Sequence, residues 1–476
     1  MKESYIKQLE RKKILLLCDD IRMTSGISTM AREIVLGTAH HYNWVNIGGA
    51  INHPDQGKRF DLNSDTNTHA GIDDANVILY PINGYGDPNL VRQMIEFEKP
   101  DVLMIFTDPR YWIWLFQIEN EIRRKIPIVY LNIWDDYPAP LYNEAYYESC
   151  DGLMSISKQT LNINKLVLGD KVKDKVLDYV PHGINEKIFF PVDDKSKLND
   201  IKKKLFGDKE YDFILMFNSR NIRRKQIPDT LAAFKTFLDK LPKEKADKCA
   251  FVLHTQPIDE HGTDLYAVRD MLFTEEQCSQ IYFSDLRIPS QDLNLIYNIS
   301  DAVILLSSNE GWGLSLTEGM MCGKMIIGNV SGGMQDQMRF VDENGKWINF
   351  DSEFCSNHFG RYKTCGEWAI PVFPSNMSLQ GSVPTPYIFD DRVDFREAAD
   401  AIMKVYELGV EERERRGKLA HEWVTSDESM MTAENMSRNV IKHIDKVLEN
   451  WKPKPKFELI KTESIKKKYI RHKLVY

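Results

Sequence analysis

The chain holds 476 residues, room for two or three domains of the usual size of about 100–200 residues. With 42% hydrophobic and 28% charged residues it can bury sizeable cores, which excludes a disordered, collagen-like or coiled-coil chain. The 62 Lys/Arg and 70 Asp/Glu leave a net charge of −8, a balance that disfavours a protein coated in nucleic acid. That mean hides an asymmetry. Residues 451–476 carry 9 Lys/Arg and 2 Glu, a charge of +7, so the first 450 residues carry −15.

Seven scattered cysteines (Cys18, Cys150, Cys249, Cys278, Cys322, Cys355, Cys365) fit free thiols in a reducing compartment. Cys355, His358 and Cys365 could begin a zinc site, but no fourth ligand stands at a matching spacing, so thiols in a loop are the simpler reading. The charged N-terminus (Lys2, Glu3, Lys7, Arg11) lacks the apolar core of a signal peptide. No apolar run reaches the roughly 20 residues of a membrane helix. The expectation is a soluble, cytoplasmic protein with no integral membrane segment, in the host cytoplasm if it is viral.

In chain order, the run Ile14-Leu15-Leu16-Leu17-Cys18 is suited to a buried parallel strand, and Thr24-Ser25-Gly26-Ile27-Ser28 turns it into a helix ending near Gly37. Further buried strands are expected at 76–80, 101–107, 126–132 and 151–157, with helices between them, including 89–97 and 111–124. Strand and helix in alternation imply a parallel sheet wrapped by helices. The pattern stops around Val180-Pro181-His182-Gly183, and the charged stretch 193–210 is a candidate boundary. It then restarts: strands at 213–218, 250–255, 281–283, 302–306 and 325–327 alternate with helices at 228–241, 265–272, 291–300 and 314–322. Residues 351–391 hold four prolines and show neither period, which suggests an inserted loop region, a lid or an acceptor-side elaboration. Helices follow at 395–408, 410–424 and 430–451, then a Lys-Pro linker and a short basic helix at 463–474. The expected division is 1–190, 191–428 with the insert, and 429–476, the last segment returning to the first domain. Two such α/β halves are Rossmann-like domains facing across a cleft, and ligands bind in crevices at the carboxyl ends of their strands.

The most informative stretch is Ser307-Ser308-Asn309-Glu310-Gly311-Trp312-Gly313-Leu314-Ser315-Leu316-Thr317-Glu318-Gly319-Met320-Met321-Cys322-Gly323. It follows a buried strand and opens a helix. Gly311 and Gly313 let a ligand approach the backbone, and the free N–H groups of 313–316 form an anion site. Glu310 lies in the loop and Glu318 about one turn into the helix. Carboxylates on both sides of an anion site suit a nucleoside diphosphate sugar. An acidic helix start that complements its dipole would explain Glu318 but not the whole block. A basic turn, Asn218-Ser219-Arg220 with Lys225 after it, ends the first strand of the second half and could hold a leaving diphosphate.

These blocks resemble the E-x7-E signature and the Arg/Lys pair of the retaining family 4 glycosyltransferases, which have the GT-B fold. The resemblance spans about residues 13–448 and is most specific over 210–345. It implies that Glu310 contacts the donor sugar, Glu318 the ribose hydroxyls, and Arg220 and Lys225 the diphosphate, with Gly26, Gly311, Trp312, Gly313, Leu314 and Ser315 lining the donor site. Val180-Pro181-His182-Gly183-Ile184-Asn185 is similar to the family's hinge, with His182 where Asn is commoner, and Ser331-Gly332-Gly333 resembles its Gly-Gly turn. Where many members carry a His near the reacting sugar, this chain has Trp134-Asp135-Asp136. Asp135 or Asp136 could orient a donor hydroxyl or the acceptor there, Asp135 being the candidate catalytic-site residue, and capping of a turn is the competing role.

No Gly-x-Gly-x-x-Gly follows the first strand, and no P-loop or Asp-x-Asp is present. The expectation is therefore a retaining, metal-independent transferase of a hexosyl or pentosyl group from a nucleoside diphosphate sugar, UDP-sugar favoured, needing no cofactor. A non-catalytic sugar-nucleotide binder is the rival of another class. The acceptor stays open. The aromatic run Tyr111-Trp112-Ile113-Trp114-Leu115-Phe116 is simplest as buried helix but could stack on rings. The basic tail could touch DNA phosphates or anionic lipid. The insert loosely resembles virus-encoded family members, some of which glycosylate hydroxymethylated bases, so modified phage DNA is one acceptor. A cell-envelope saccharide or lipid-linked sugar is the other.

Overall fold

The computed structural model describes residues 5–49, 54–284, 288–354 and 356–457. The first apolar run becomes β1 (Lys12–Asp19), followed by α1 (Gly26–Thr38), whose N-cap Ser25 accepts the N–H of Ser28. After it come β2 (Tyr42–Gly49), β3 (Phe60–Asp61), β4 (Val77–Pro81), β5 (Val102–Phe106), β6 (Ile128–Asn132), β7 (Gly152–Ser155), α2 (Lys158–Leu168) and β8 (Val176–Tyr179). They form an eight-stranded sheet in the order β3-β4-β2-β1-β5-β6-β7-β8, parallel except for β3 against β4. The central strands are buried along almost their whole length, as a sheet covered on both faces requires.

The charged stretch after residue 193 is not a bare linker. It contains α3 (Lys195–Phe206), capped by Asp194, which packs Leu198, Ile201 and Leu205 inward and turns its lysines to solvent. The second sheet follows, with β9 (Phe213–Asn218), α4 (Ile227–Asp239), β10 (Cys249–His254), β11 (Ile281–Phe283), α5 (Ser290–Ile299), β12 (Ala302–Leu305), α6 (Leu314–Met321), β13 (Met325–Asn329), α7 (Met334–Met338) and β14 (Ala369–Val372). The order β11-β10-β9-β12-β13-β14 is parallel throughout. The two sheets with their helices are Rossmann-like units, and their strand ends meet across one cleft.

The insert departs from the sequence reading. Its end supplies β14 as a sheet edge and an antiparallel hairpin of β15 (Asn376–Ser382) and β16 (Thr385–Arg392). The prolines at 371, 374, 384 and 386 sit on an edge strand, in the turns or on a two-stranded ribbon, where a missing N–H is tolerated, and they mask the strand period. His358 is enclosed by Phe340, Phe354, Tyr362 and Phe373. Cys355 lies outside the described residues. The helix expected at 111–124 is three short pieces, a 3₁₀ turn Pro109–Trp112 and helices Ile113–Gln117 and Glu119–Ile122. Within it Trp112, Leu115 and Phe116 are buried, whereas Tyr111 and Ile113 are exposed.

After the helices Phe395–Glu407 and Gly409–Val424, α8 (Ala433–Asn450) returns to the first unit and packs on α1, β7 and β8. His443 Nδ1 lies 2.8 Å from Asp178 Oδ2, and Tyr42 donates its hydroxyl to Asp445 at 2.7 Å. The Lys-Pro linker runs extended, with the Lys454 N–H on Arg123 O and its ammonium on Glu119. The basic helix expected at 463–474 lies outside the described residues.

A buried junction joins the two units on one side of the cleft. The N–H of Lys158, at the start of α2, donates to Asp336 of α7 at 2.8 Å. The Lys158 ammonium donates to Ile348 O and lies 3.3 Å from the centre of the Trp347 ring. Burial raises the Asp336 carboxyl to about 6 despite Lys158 beside it. The folded state therefore keeps a proton on Asp336 at pH values where the unfolded chain has lost it. Stability contributed at this site falls as pH rises from the ordinary carboxylate value through about 6. Asp336→Asn is expected to flatten that fall by a total on the order of 3 kcal/mol, read from denaturant midpoints across that pH window.

Candidate active site

The loop between β12 and α6 is shaped by two glycines. Gly313, at φ +89°, is the N-cap of α6, and a Cβ there would press on Leu305 and Met334 at 3.1 and 3.2 Å. Gly332 (φ +54°) stacks the turn after β13 directly on this loop. A Cβ at that position would fall 2.0 Å from Glu310 O, and the Gly333 N–H donates to the same oxygen at 2.9 Å. The block and the Gly-Gly turn are thus one rigid unit that aims Glu310 inward.

Glu310 is buried, and its Oε2 accepts from Lys225 Nζ and from Arg224 at 2.9 Å. Both cations come from the 3₁₀ turn Arg223–Lys225 after β9. Burial alone would raise the Glu310 carboxyl, but Arg224 and Lys225 pull it down to about 2. Burial lowers Lys225 to about 8 against the pull of Glu310, so the pair is ionised at neutral pH. Arg220, which the sequence reading placed on the diphosphate, is exposed and held by Asp259 at 2.9 Å. Arg224 is the cation that reading passed over. It also donates to Asn309 O at 2.7 Å and feels the charges of Asp135 and Asp136.

Glu318 stands one turn into α6. Its Oε2 accepts the Tyr297 hydroxyl at 2.6 Å and Asn218 Nδ2 at 3.2 Å, so its partners are neutral. Burial raises its pKa, and those two hydrogen bonds oppose the rise. From the first unit, Gly26 faces α6, where a Cβ would make an ordinary contact with Leu314 at 3.5 Å. Trp134 turns into the core, with its indole N–H on Asp136 O. Asp135 and Asp136 remain at the cleft, where burial raises both carboxyl groups and the charge of Asp135 raises Asp136 further. His182, set against Phe106 and Trp312, also lines the cleft. It is buried, and burial lowers it to about 3.

These groups meet in one cleft of about 1410 Å³. Gly26, Asp135, Arg220, Lys225, Glu310, Gly311, Trp312, Gly313, Leu314, Ser315 and Glu318 all line it. Sequence reasoning missed the roles of Arg224, Tyr297 and Asn218, and the hairpin residues that form one wall. The charge of Arg224 beside Lys225 was a usable signal; the register of Tyr297 on α5 was not. Among the described residues no group of three or more His, Cys, Asp or Glu is arranged to hold a metal ion, and no helix is long and apolar enough to cross a membrane.

Residues 199–351 match the family described as glycosyl transferases group 1. None of the curated proteins matches the sequence. Among solved structures, the chain is similar to HepE from Anabaena in complex with UDP and glucose (TM-score 0.62, 12% identity, covering 92% of this chain and 100% of that one). It is similar to a sucrose-phosphate synthase from Thermosynechococcus elongatus (TM-score 0.63, 14% identity, 92% and 100%). A third is an alpha,alpha-trehalose-phosphate synthase (UDP-forming) from Burkholderia vietnamiensis (TM-score 0.61, 10% identity, 92% and 99%). The chain has the GT-B fold, and its second unit contains a glycosyl transferases group 1 domain.

Replacing Glu310 by Gln leaves the buried Lys225 and the partly exposed Arg224 without their shared carboxylate. Glu310→Gln is expected to cost about 3 kcal/mol in denaturant unfolding, and more than Glu318→Gln, whose partners are neutral.

Proposed function

We propose that this protein transfers a sugar from a nucleoside diphosphate sugar, preferably a UDP-sugar, to an acceptor hydroxyl with retention of anomeric configuration. The observation that carries the reading is the placement of Glu310 and Glu318 on either side of the α6 N-terminus, with Arg224 and Lys225 beside Glu310. The UDP named for HepE and for the trehalose-phosphate synthase favours that nucleotide.

On this reading the ribose hydroxyls reach Glu318, whose Oε2 is fixed by Tyr297 and Asn218. The diphosphate lies over the N–H groups of Gly313, Leu314 and Ser315, within reach of Lys225 and Arg220. Cleavage of the bond between the anomeric carbon and the phosphate oxygen leaves an anionic diphosphate, which the helix terminus and the cations stabilise. The acceptor oxygen bonds to the anomeric carbon from the face the phosphate leaves, and its proton passes to a diphosphate oxygen. Glu310 and Asp135 orient the sugar hydroxyls around that centre. No step calls on a metal ion or a cofactor.

Glu318→Ala is expected to weaken UDP-sugar binding by about 10–100-fold in calorimetry, the loss of a charge-assisted hydrogen bond; unchanged affinity refutes the assignment. Release of UDP from UDP-glucose without acceptor separates an enzyme from a binder. Because Lys225 gives up its proton near pH 8, donor affinity is expected to decline as pH rises through about 8, while the Glu310 carboxylate persists down to about 2.

A further inference from the structure

The hairpin of β15 and β16 belongs in sequence to the second unit but is bonded to both. On the first unit, the Phe389 N–H donates to Tyr137 O at 2.6 Å, the Tyr142 hydroxyl to Tyr387 O at 3.0 Å, and Arg110 to Thr385 Oγ1 at 2.8 Å. On the second, Asp390 Oδ1 accepts from Ser308 Oγ at 2.7 Å and from Asn309 Nδ2 at 3.3 Å, while the Asp391 N–H donates to Ser308 O. The buried Asp391 carboxylate takes Ser331 Oγ and Asn357 Nδ2, which ties the base of the hairpin to the Gly-Gly turn. Strand β16 therefore runs from the loop that carries Asp135 and Asp136 to the loop that carries Glu310. The hairpin places Gln380 and Ser382 of β15 and Thr385 of β16 on the wall of the cleft, beyond the residues that the proposed donor uses.

The chemistry of that wall is uneven. Amide, hydroxyl and carboxylate groups dominate it. Arg110, the cation that reaches the hairpin from the first unit, is already neutralised by Asp108 in a two-pronged contact at 2.9 and 2.5 Å. Arg392 at the other end is held by Gln226 and Asp229. Among the described residues, Asp390 takes its side-chain hydrogen bonds from the neutral donors Ser308 and Asn309. Hydroxyl-rich ligands are recognised by such carboxylate and amide acceptors, whereas a phosphodiester chain needs uncommitted cations and is repelled by carboxylates.

We propose that the hairpin Asn376–Arg392 is the acceptor-recognition element of this protein, and that Gln380 and Ser382 select the hydroxyls of a neutral saccharide. The proposal rests on the glycosyl-transfer reading above, and its test is arranged so that the two can fail separately. Label from UDP-glucose is offered to neutral di- and trisaccharides and to a duplex oligonucleotide bearing 5-hydroxymethylcytosine, with UDP-glucose binding followed in parallel by calorimetry. Gln380 and Ser382 are exposed, so alanine there leaves the core intact. Val383 is 99% exposed at the turn, does not line the cleft, and provides a control as Val383→Ser.

The expected result is label in a saccharide, with Gln380→Ala/Ser382→Ala raising the saccharide KM about tenfold or more at an unchanged UDP-glucose Kd, the scale of one or two hydrogen bonds. The control should behave as the unaltered protein. Label in the oligonucleotide alone, an unchanged saccharide KM in the double variant, or bound and hydrolysed UDP-glucose with no saccharide labelled would each overturn the proposal. Failure of the unaltered protein to bind any of the UDP-, GDP- or ADP-sugars would instead overturn the glycosyl-transfer reading on which it stands.

Discussion

A buried carboxylate shared by two neighbouring cations organises this molecule. Glu310 holds Arg224 and Lys225 together, and the three groups come from two separate strand ends of the same sheet. Two positive charges this close repel each other, and in a half-desolvated cleft the repulsion is strong. The carboxylate cancels it and allows the basic turn to be preformed. Preformed charge is what stabilisation of a leaving anion requires, since groups that need not reorganise cost nothing at the moment of reaction. The close seat of the Gly-Gly turn on Glu310 follows from the same demand, because a carboxylate that bridges two cations must itself be immobile.

The two units differ in what they contribute. The second provides charge, a helix terminus and Glu318 fixed by Tyr297 and Asn218, all set by β-strand ends and short turns. The first provides shape: Gly26 approaches α6 without a side chain in the way, and Trp134 fills the core so that Asp135 and Asp136 stay at the surface of the cleft. Neither unit makes a complete site. The cleft is lined by residues of both units, which are tied together through Lys158 and Asp336 and through the hairpin.

Much of this was legible from residues alone, and the reasons for the exceptions are physical. The parallel strands declare themselves as apolar runs because both of their faces are covered, and the block at 307–323 declares itself because glycines, carboxylates and a helix start coincide. Strand β2 escaped notice because Asn43 and Asn46 interrupt its run; Asn46 is nevertheless fully buried, accepting from Ile21 N and donating to Leu16 O. Helix α3 hid behind its lysines, since only Leu198, Ile201, Leu205 and Phe206 pack on the core. The hairpin hid behind proline and polar residues that a two-stranded ribbon over a cleft tolerates and a central strand does not. For the site, residue identity pointed to Glu310, Glu318 and Lys225. The partner that each carboxylate takes depends on which strand ends become neighbours, and that is a property of the sheet order rather than of any local pattern.

The return of α8 has a mechanical consequence. The chain passes between the units near Ile184 and again near Met431, and these passages are hydrogen-bonded to each other, Ile184 N to Met431 O and Ala433 N to Ile184 O. Two crossings fused in this way act as a single pivot, and they leave the units one easy rotation instead of a free swivel. Any rotation about that pivot would strain the hairpin contacts at Arg110 and Tyr137, which tie the same two units together at a second place.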